Sequence, residues 1–210
     1  MSRLEVEVPK EVLSRDHIEL ILARWEKKRR GLLGPLLFPD SSRRRLLSVE
    51  KVYVPHYLFT FRQSTRSGVE VHYVLIDAVC GFGAFTNTEP EVLREEVEEP
   101  VFAPVVLQQK AQERAKDWVT RWNLRKHAFH LKPPELLSCR CMSFHFPFWV
   151  AYYQRPSGRV DMEVVDGVRG YLEGGRTKHL IQQGLGALGR TTGVQGSRGQ
   201  VKGVGSDFLP

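Results

Sequence analysis

The chain has 210 residues, of which 41% are hydrophobic and 26% charged, so it can bury a core without disulfide staples. It contains no run of about 18 apolar residues, so the sequence predicts no membrane-spanning helix. The formal net charge of +7 is compatible with an anionic partner, although a run of charges is more often a solvated face.

The cysteines and the amino terminus indicate a cellular compartment. Three cysteines, an odd number, are typical of reduced thiols: Cys139 and Cys141 are too close on a strand to bridge easily, and Cys80 has no evident mate. The first residues, M-S-R-L-E-V-E-V-P-K-E, lack the plan of a signal peptide. We therefore expect a cytoplasmic protein, and nothing in the sequence implies a cofactor.

The first third of the chain predicts an extended lead, a helix and a hairpin. Residues 1–15 form the lead, and the helix is expected to start at Asp16, which has the capping-box spacing to Glu19. Residues 46–62 and 69–79 predict the hairpin. The first of these strands is apolar on both faces, so we expect it to be covered on both sides. Pro55 within it predicts an edge or a bulge, because proline cannot donate to a ladder.

Three further helices are predicted. Residues 89–98 predict a short acidic helix, and residues 177–188 a helix weakened by Gly184 and Gly186. Between them, residues 108–126 carry the strongest helical periodicity in the chain. The apolar face of that helix is expected to contain Ala111, Ala115, Trp118, Val119 and Trp122.

A repeated pattern organises these elements. Residues 52–81 and 144–170 both carry a proline among aromatic residues, a polar turn and an aspartate four residues before a glycine. Each follows a helix that contains Arg-Trp and has a basic end. The predicted architecture is an α+β fold made by tandem duplication of an α-β-β unit, with antiparallel sheets packed by helices. Its parts are the lead at 1–15, the units at 16–99 and 100–189, and a glycine-rich, disordered-type tail at 190–210.

The two hairpins, with aromatic residues around Pro55 or Pro147 and a strand closing on Asp77 or Asp166, resemble those of PepSY-type, cystatin-like α+β modules. The resemblance covers only the hairpins. It implies a small non-enzymatic binding or inhibitory module, with no catalytic residues to carry over.

Few residues predict chemistry. Asp77 and Asp166 are interpreted as turn residues, because each can accept backbone N–H bonds ahead of a glycine with positive φ. Their equivalence argues against a catalytic pair. His127, His130, Cys139 and Cys141 have the ligand types for zinc, but their spacing is poor and the two thiols fit a buried apolar role on one face of a strand.

The basic residues form three clusters that are candidates for binding anions or nucleic acid. Their members are Lys27, Lys28, Arg29 and Arg30; Arg43, Arg44 and Arg45; and Arg121, Arg125 and Lys126. No nucleophile elbow, catalytic triad or phosphate-binding loop accompanies them. We therefore expect a non-enzymatic binding or assembly module that engages a protein partner or itself. The alternative is a nucleic-acid-associated protein that contacts the phosphate backbone through these clusters.

Overall fold

A long strand rich in β-branched and aromatic residues occupies the centre of the computed structural model, which describes residues 3–10, 12–30, 44–65, 68–126 and 134–193. The strands within these ranges are β1 (Leu4–Pro9), β2 (Arg45–Thr65), β3 (Gly68–Asp77), β4 (Gly83–Thr86), β5 (Val92–Val97), β6 (Glu135–Gln154) and β7 (Val160–Asp166). The helices are α1 (Arg15–Arg30), α2 (Gln108–Lys126) and α3 (Gly175–Gly193). Residues 194–210, most of the predicted tail, lie outside the described part of the chain.

The strands form two antiparallel sheets. One has five strands in the order β4-β3-β2-β6-β7, and β1 pairs with β5 in the other. The predicted α+β class with antiparallel sheets and packing helices is therefore confirmed. Because β2 pairs with both β3 and β6, the two α-β-β segments contribute to one joined sheet.

Pro55 and Pro147 lie in corresponding places on the two central strands. Val54 pairs with Phe146, and on either side of this pair Tyr53 opposes Pro147 and Pro55 opposes His145. The carbonyl of Pro55 accepts a hydrogen bond from Ala78, where β3 ends, and the carbonyl of Pro147 accepts one from Gly167, where β7 ends. The nitrogen of each proline thus faces the side on which the outer strand has already ended. The missing N–H of proline therefore costs no hydrogen bond between strands.

Both alternatives predicted for Pro55, an edge and a bulge, are wrong, because β2 is an internal strand and its register against β6 is continuous through Pro55. The shifts in the register of β2 and β6 lie between Leu46 and Ser48 and between Arg62 and Gln63.

One face of the joined sheet, called here the first face, is covered by α1, α2 and the β1–β5 pair. Ile18 and Leu22 of α1 pack against Trp149 and other residues of β6 and β7. The buried alanines of α2 pack instead against Phe59, Phe61 and their neighbours on β2 and β3. Each helix therefore packs on the strands of the other α-β-β segment.

The opposite face, called here the second face, is covered in part by α3. Leu180 and Ile181 of this helix pack with Phe102 over the valines of β2, β6 and β7. As predicted, β2 is therefore covered on both faces. None of the described helices has the length and apolar character needed to cross a membrane.

Three sequence-based boundaries need correction. Residues 89–98 are not a helix, because residues 92–97 pair as β5 with β1, a partner more than 80 positions away in the sequence. Helix α1 begins at Arg15, so Asp16 lies inside its first turn; the Ser14 carbonyl accepts the first helical bond, from Ile18. Helix α3 continues to Gly193, past the predicted limit of 188.

Candidate functional site

The second face carries an open groove of about 790 Å³ beside α3. Its floor is formed by the sheet, and its sides by the β4–β5 connection and by the segment that leads from β7 into α3. The floor residues are His56, Leu58, Leu75, Phe144, Phe146 and Phe148. The groove lies where the chain after the first hairpin differs from the chain after the second: β4 and a connection follow β3, whereas a helix follows β7.

His56 is the buried polar residue of the floor, with 6% of its surface exposed. Its Nδ1 lies 2.9 Å from the Val54 carbonyl, which can only accept, so Nδ1 donates and Nε2 is an acceptor in the neutral ring. Nε2 has no hydrogen-bond partner among the described residues. Burial lowers the pKa of His56, although the bond to Val54 and the Asp77 carboxylate oppose this effect. The ring is therefore neutral near pH 7.

Three phenyl rings surround this imidazole. The ring centroids of Phe144, Phe146 and Phe148 lie 6.1, 5.8 and 6.3 Å from that of His56. All three point to the second face because they alternate along β6. Phe144 and Phe148 are buried, at 3% and 7% exposed, and Phe146 is half-buried, so the floor is apolar and largely covered, with one imidazole acceptor at its centre.

Both turn aspartates line the groove, and both accept the backbone bonds expected from the sequence. Asp77 accepts from Val79, Cys80 and Gly81 at Oδ1 and from Phe82 at Oδ2, over 2.5–3.1 Å. Asp166 accepts from the amides of Val168 and Arg169, both at Oδ1, at 2.8 and 2.7 Å. The glycine that ends each turn has a positive φ, 77° at Gly81 and 73° at Gly170. The structural interpretation of both aspartates is confirmed.

Three of the charged residues that line the groove, Lys10, Glu89 and Glu91, form ion pairs. Lys10 binds Glu91 at 3.2 Å, and Glu89 binds Arg140. Arg169 and Arg176 also line the groove and are exposed, but neither has an ion-pair partner among the described residues. They give this side of the groove two available guanidinium groups.

The three basic clusters do not form one surface. Lys27, Lys28 and Arg29 are exposed at the end of α1, as are Arg121, Arg125 and Lys126 at the end of α2. Through Arg44, the end of α1 contacts the start of β2, whereas Lys126 binds Glu70 beside the end of β2. The two helix ends are therefore separated by nearly the whole of a 21-residue strand, on the order of 60 Å.

The middle cluster is divided. Arg45 is exposed at the start of β2 and Arg43 lies outside the described residues, as does the side chain of Arg30 in the first cluster. The Arg44 side chain is only 7% exposed; it pairs with Glu26 and, at 3.0 Å, with Glu163. Its guanidinium also lies 4.5 Å from the ring centroid of Tyr153. The prediction of Arg44 as an anion-binding candidate is corrected, since internal carboxylates already engage it.

The acidic residues of 89–99 are likewise engaged by cations of the same chain. Arg3 pairs with Glu96 and Glu98 across the β1–β5 sheet, and Lys51 pairs with Glu99 at 3.0 Å. The Arg3 pairs are exposed and contribute little to stability, whereas the β1–β5 sheet is held by Val6, Val8 and Val97, which pack on Tyr53.

The zinc candidates are only partly described, since His127 and His130 lie outside the described residues. Cys139 and Cys141 are half-buried on the first face of β6, against the cluster beneath α2. Burial raises the pKa of both thiols, that of Cys141 to about 11. They are therefore protonated at neutral pH, whereas zinc binds thiolate. Within the described ranges no three His, Cys, Asp or Glu side chains form a metal-binding group.

The groove was not predicted from the sequence, because the candidate sites were sought as clusters of basic or metal-ligating residues. Arg169 and Arg176 are isolated basic residues, and His56 belongs to no such cluster. The alternation of phenylalanines in F-H-F-P-F at 144–148 was an available signal. Comparisons with protein-family models, curated proteins and solved structures found no match to this chain. The resemblance to PepSY-type and cystatin-like modules stays a prediction.

Proposed function

We propose that this protein is a non-enzymatic binding module that engages a protein partner through the groove on the second face. The observation that carries the proposal is an apolar floor around a buried imidazole, with two guanidinium groups beside it that lack ion pairs. The cellular compartment proposed for it is the cytoplasm.

The openness of the groove favours a polypeptide as its occupant. Small-molecule sites usually enclose most of the ligand surface, whereas this groove leaves one side of an occupant in solvent. A segment of a larger protein tolerates this, because its solvent side can belong to the rest of the partner.

The lining residues define the chemistry of that segment. The half-buried ring of Phe146, with the buried rings of Phe144 and Phe148 on either side of it, would contact an aromatic or aliphatic side chain. Arg169 and Arg176 would bind a carboxylate next to it, since guanidinium groups pair well with carboxylates. A backbone N–H of the segment would donate to Nε2 of His56. The preferred segment thus carries an apolar residue close to Asp or Glu.

The non-enzymatic part of the proposal rests on how the acid–base groups are used. Both oxygens of Asp77 accept backbone bonds, and burial raises the pKa of the nearby Cys80 thiol. Neither Asp77 nor Cys80 is placed as an activated nucleophile or as a free base, and His56, which keeps a free acceptor at Nε2, has no nucleophile hydrogen-bonded to it among the described residues.

The test is selection from a displayed library of random 12-residue peptides, followed by anisotropy measurements with the enriched peptides. We expect enrichment of sequences that pair an apolar residue with Asp or Glu. Their affinity should fall at least tenfold in the double variant Arg169→Glu/Arg176→Glu. The control is Arg24→Glu/Lys28→Glu, the same change in net charge at two exposed sites on α1, and it should bind as the unaltered protein does.

Three outcomes would contradict the proposal: no enrichment, equal binding by the double variant, or a thermal shift with long-chain carboxylates when no peptide binds. The last result would make the groove a small-molecule site. Sedimentation of the protein alone would show whether the partner is a second copy of this chain. If it is, the double variant Arg169→Glu/Arg176→Glu should sediment as a monomer.

A further inference from the structure

The described surface of α2 carries two exposed tryptophans beside cations without ion pairs, on the first face and across the edge strand β4 from the groove. Trp118 is 38% and Trp122 42% exposed, although the sequence places both on the apolar face of the helix. Because Trp118 and Trp122 are spaced i, i+4, they form one contiguous apolar patch, and such patches mark interaction sites more often than single exposed side chains do.

The packing of these indoles explains their exposure. β4 is a four-residue edge strand, so the sheet ends beneath the flank of α2. Trp118 lies against its backbone, since a Cβ at Gly83 would come within 2.5 Å of the indole Nε1. Phe85 contacts Trp118 at 5.8 Å with an interplanar angle of 79°, and Trp122 at 5.3 Å with an angle of 54°. His72 also contacts Trp122, at 6.4 Å with an angle of 63°, and all three contacts are tilted or edge-to-face, so no ring of the described residues lies parallel over either indole.

The cations of α2 lie next to the indoles. Trp118 and Trp122 are spaced i, i+4, as are Arg121 and Arg125, so the two pairs form adjacent rows on the helix surface. Each pair spans about 6 Å along the helix axis. Arg121 and Arg125 are exposed and have no ion-pair partner within the described ranges, whereas Lys126 binds Glu70 at 2.9 Å.

We propose that this α2 surface binds single-stranded nucleic acid, with bases stacked on Trp118 and Trp122 and phosphates held by Arg121 and Arg125. Aromatic rings beside a row of cations are how proteins bind single strands without reading sequence. A duplex does not fit this surface as well, because its bases are already stacked on one another. The sequence-based alternative relied on phosphate contacts alone; the exposed indoles add the stacking platform.

The test is fluorescence anisotropy with labelled 12-nucleotide oligo(dT) and oligo(U) and with a 12-base-pair duplex, at 50 and 200 mM salt. We expect both single strands to bind more tightly than the duplex, with affinity that falls as salt rises. Trp118→Ala and Trp122→Ala should each weaken binding about tenfold. Arg121→Glu/Arg125→Glu should weaken it further and reduce the salt dependence.

Matched controls separate stacking from folding. Leu124→Ala removes an apolar side chain of the same helix that is 67% exposed, and it should leave binding unchanged. Trp118→Phe and Trp122→Phe keep an aromatic ring and should bind with intermediate affinity, and circular dichroism would verify the fold of every variant. Arg169→Glu/Arg176→Glu should also bind oligonucleotides normally, so a failed groove proposal would leave this one intact.

The proposal would be overturned by equal affinity for duplex and single strands or by tryptophan variants that bind as the unaltered protein does. A further result would also contradict it: the unaltered protein binds no oligonucleotide, and the tryptophan variants lose peptide binding. The α2 surface would then be a binding site for a protein.

Discussion

The two hairpin turns use their aspartates to different extents. Asp77 engages both carboxylate oxygens with four backbone amides, whereas Asp166 engages only Oδ1, with two. Asp166 lines the groove, and its Oδ2 has no hydrogen-bond partner in the described residues. One oxygen of Asp166 therefore remains available to an occupant.

This difference predicts unequal effects of removing the charge. Asp77→Asn should destabilise the protein by about 1–3 kcal/mol, because an amide group would face a backbone N–H that needs an acceptor. Asp166→Asn should change stability by less than about 1 kcal/mol, because the Asn Oδ1 keeps both bonds. Urea unfolding followed by circular dichroism would measure both. Equal losses in the two variants would contradict this account.

Two glycines of α3 have different roles, although the sequence suggests only that both weaken the helix. A Cβ at Gly184 would lie 2.1 Å from Cδ2 of Phe102, whose ring is 1% exposed, whereas a Cβ at Gly186 would meet no atom within 4 Å. Gly184 thus lets α3 approach the core closely.

We expect Gly186→Ala to stabilise the protein by up to about 1 kcal/mol through helix propensity. Gly184→Ala should instead destabilise it by about 1 kcal/mol or more, because overpacking against Phe102 outweighs that gain. Thermal unfolding would give both values. The double variant Gly184→Ala/Phe102→Leu should recover part of the loss; if it does not, the clash is not the cause.

Elements with long periodic patterns were predictable, and those that depend on distant partners were not. The bounds of α2 match the prediction, and β2 exceeds its predicted span by one residue at the start and three at the end. β5 was mistaken for a helix because its pairing with β1 is not visible in local sequence. Helical periodicity placed Trp118 and Trp122 on the apolar face, but it cannot show that the sheet below ends at the short strand β4. The groove was missed because it depends on how the two hairpins join.

At the scale of the whole molecule, the crossed packing of α1 and α2 makes the two segments interdependent. Ile18 and Leu22 of the first segment are buried against Trp149 of the second, and β2 pairs with β6 along most of its length. We infer that the segments, whether or not they arose by duplication, do not fold alone.

Expression of residues 1–99 and 100–210 as separate fragments would test this inference. We expect neither fragment to give a folded monomer, because each would expose a central strand and the apolar face of a helix. Coexpression should restore a complex with the circular dichroism of the intact chain. A monomeric fragment 1–99 that melts cooperatively would contradict the expectation.

The centre of the sheet, where Val54 pairs with Phe146, can form only after both strands have been synthesised. Strand β2 leaves the ribosome long before β6, and contacts between such distant residues form slowly. Until then, the hairpin of β2 and β3 presents an unpaired apolar edge, which is a site for misassembly with other nascent chains. The yield of native protein in the cell should therefore depend on chaperones that shield this edge until the second half has been made.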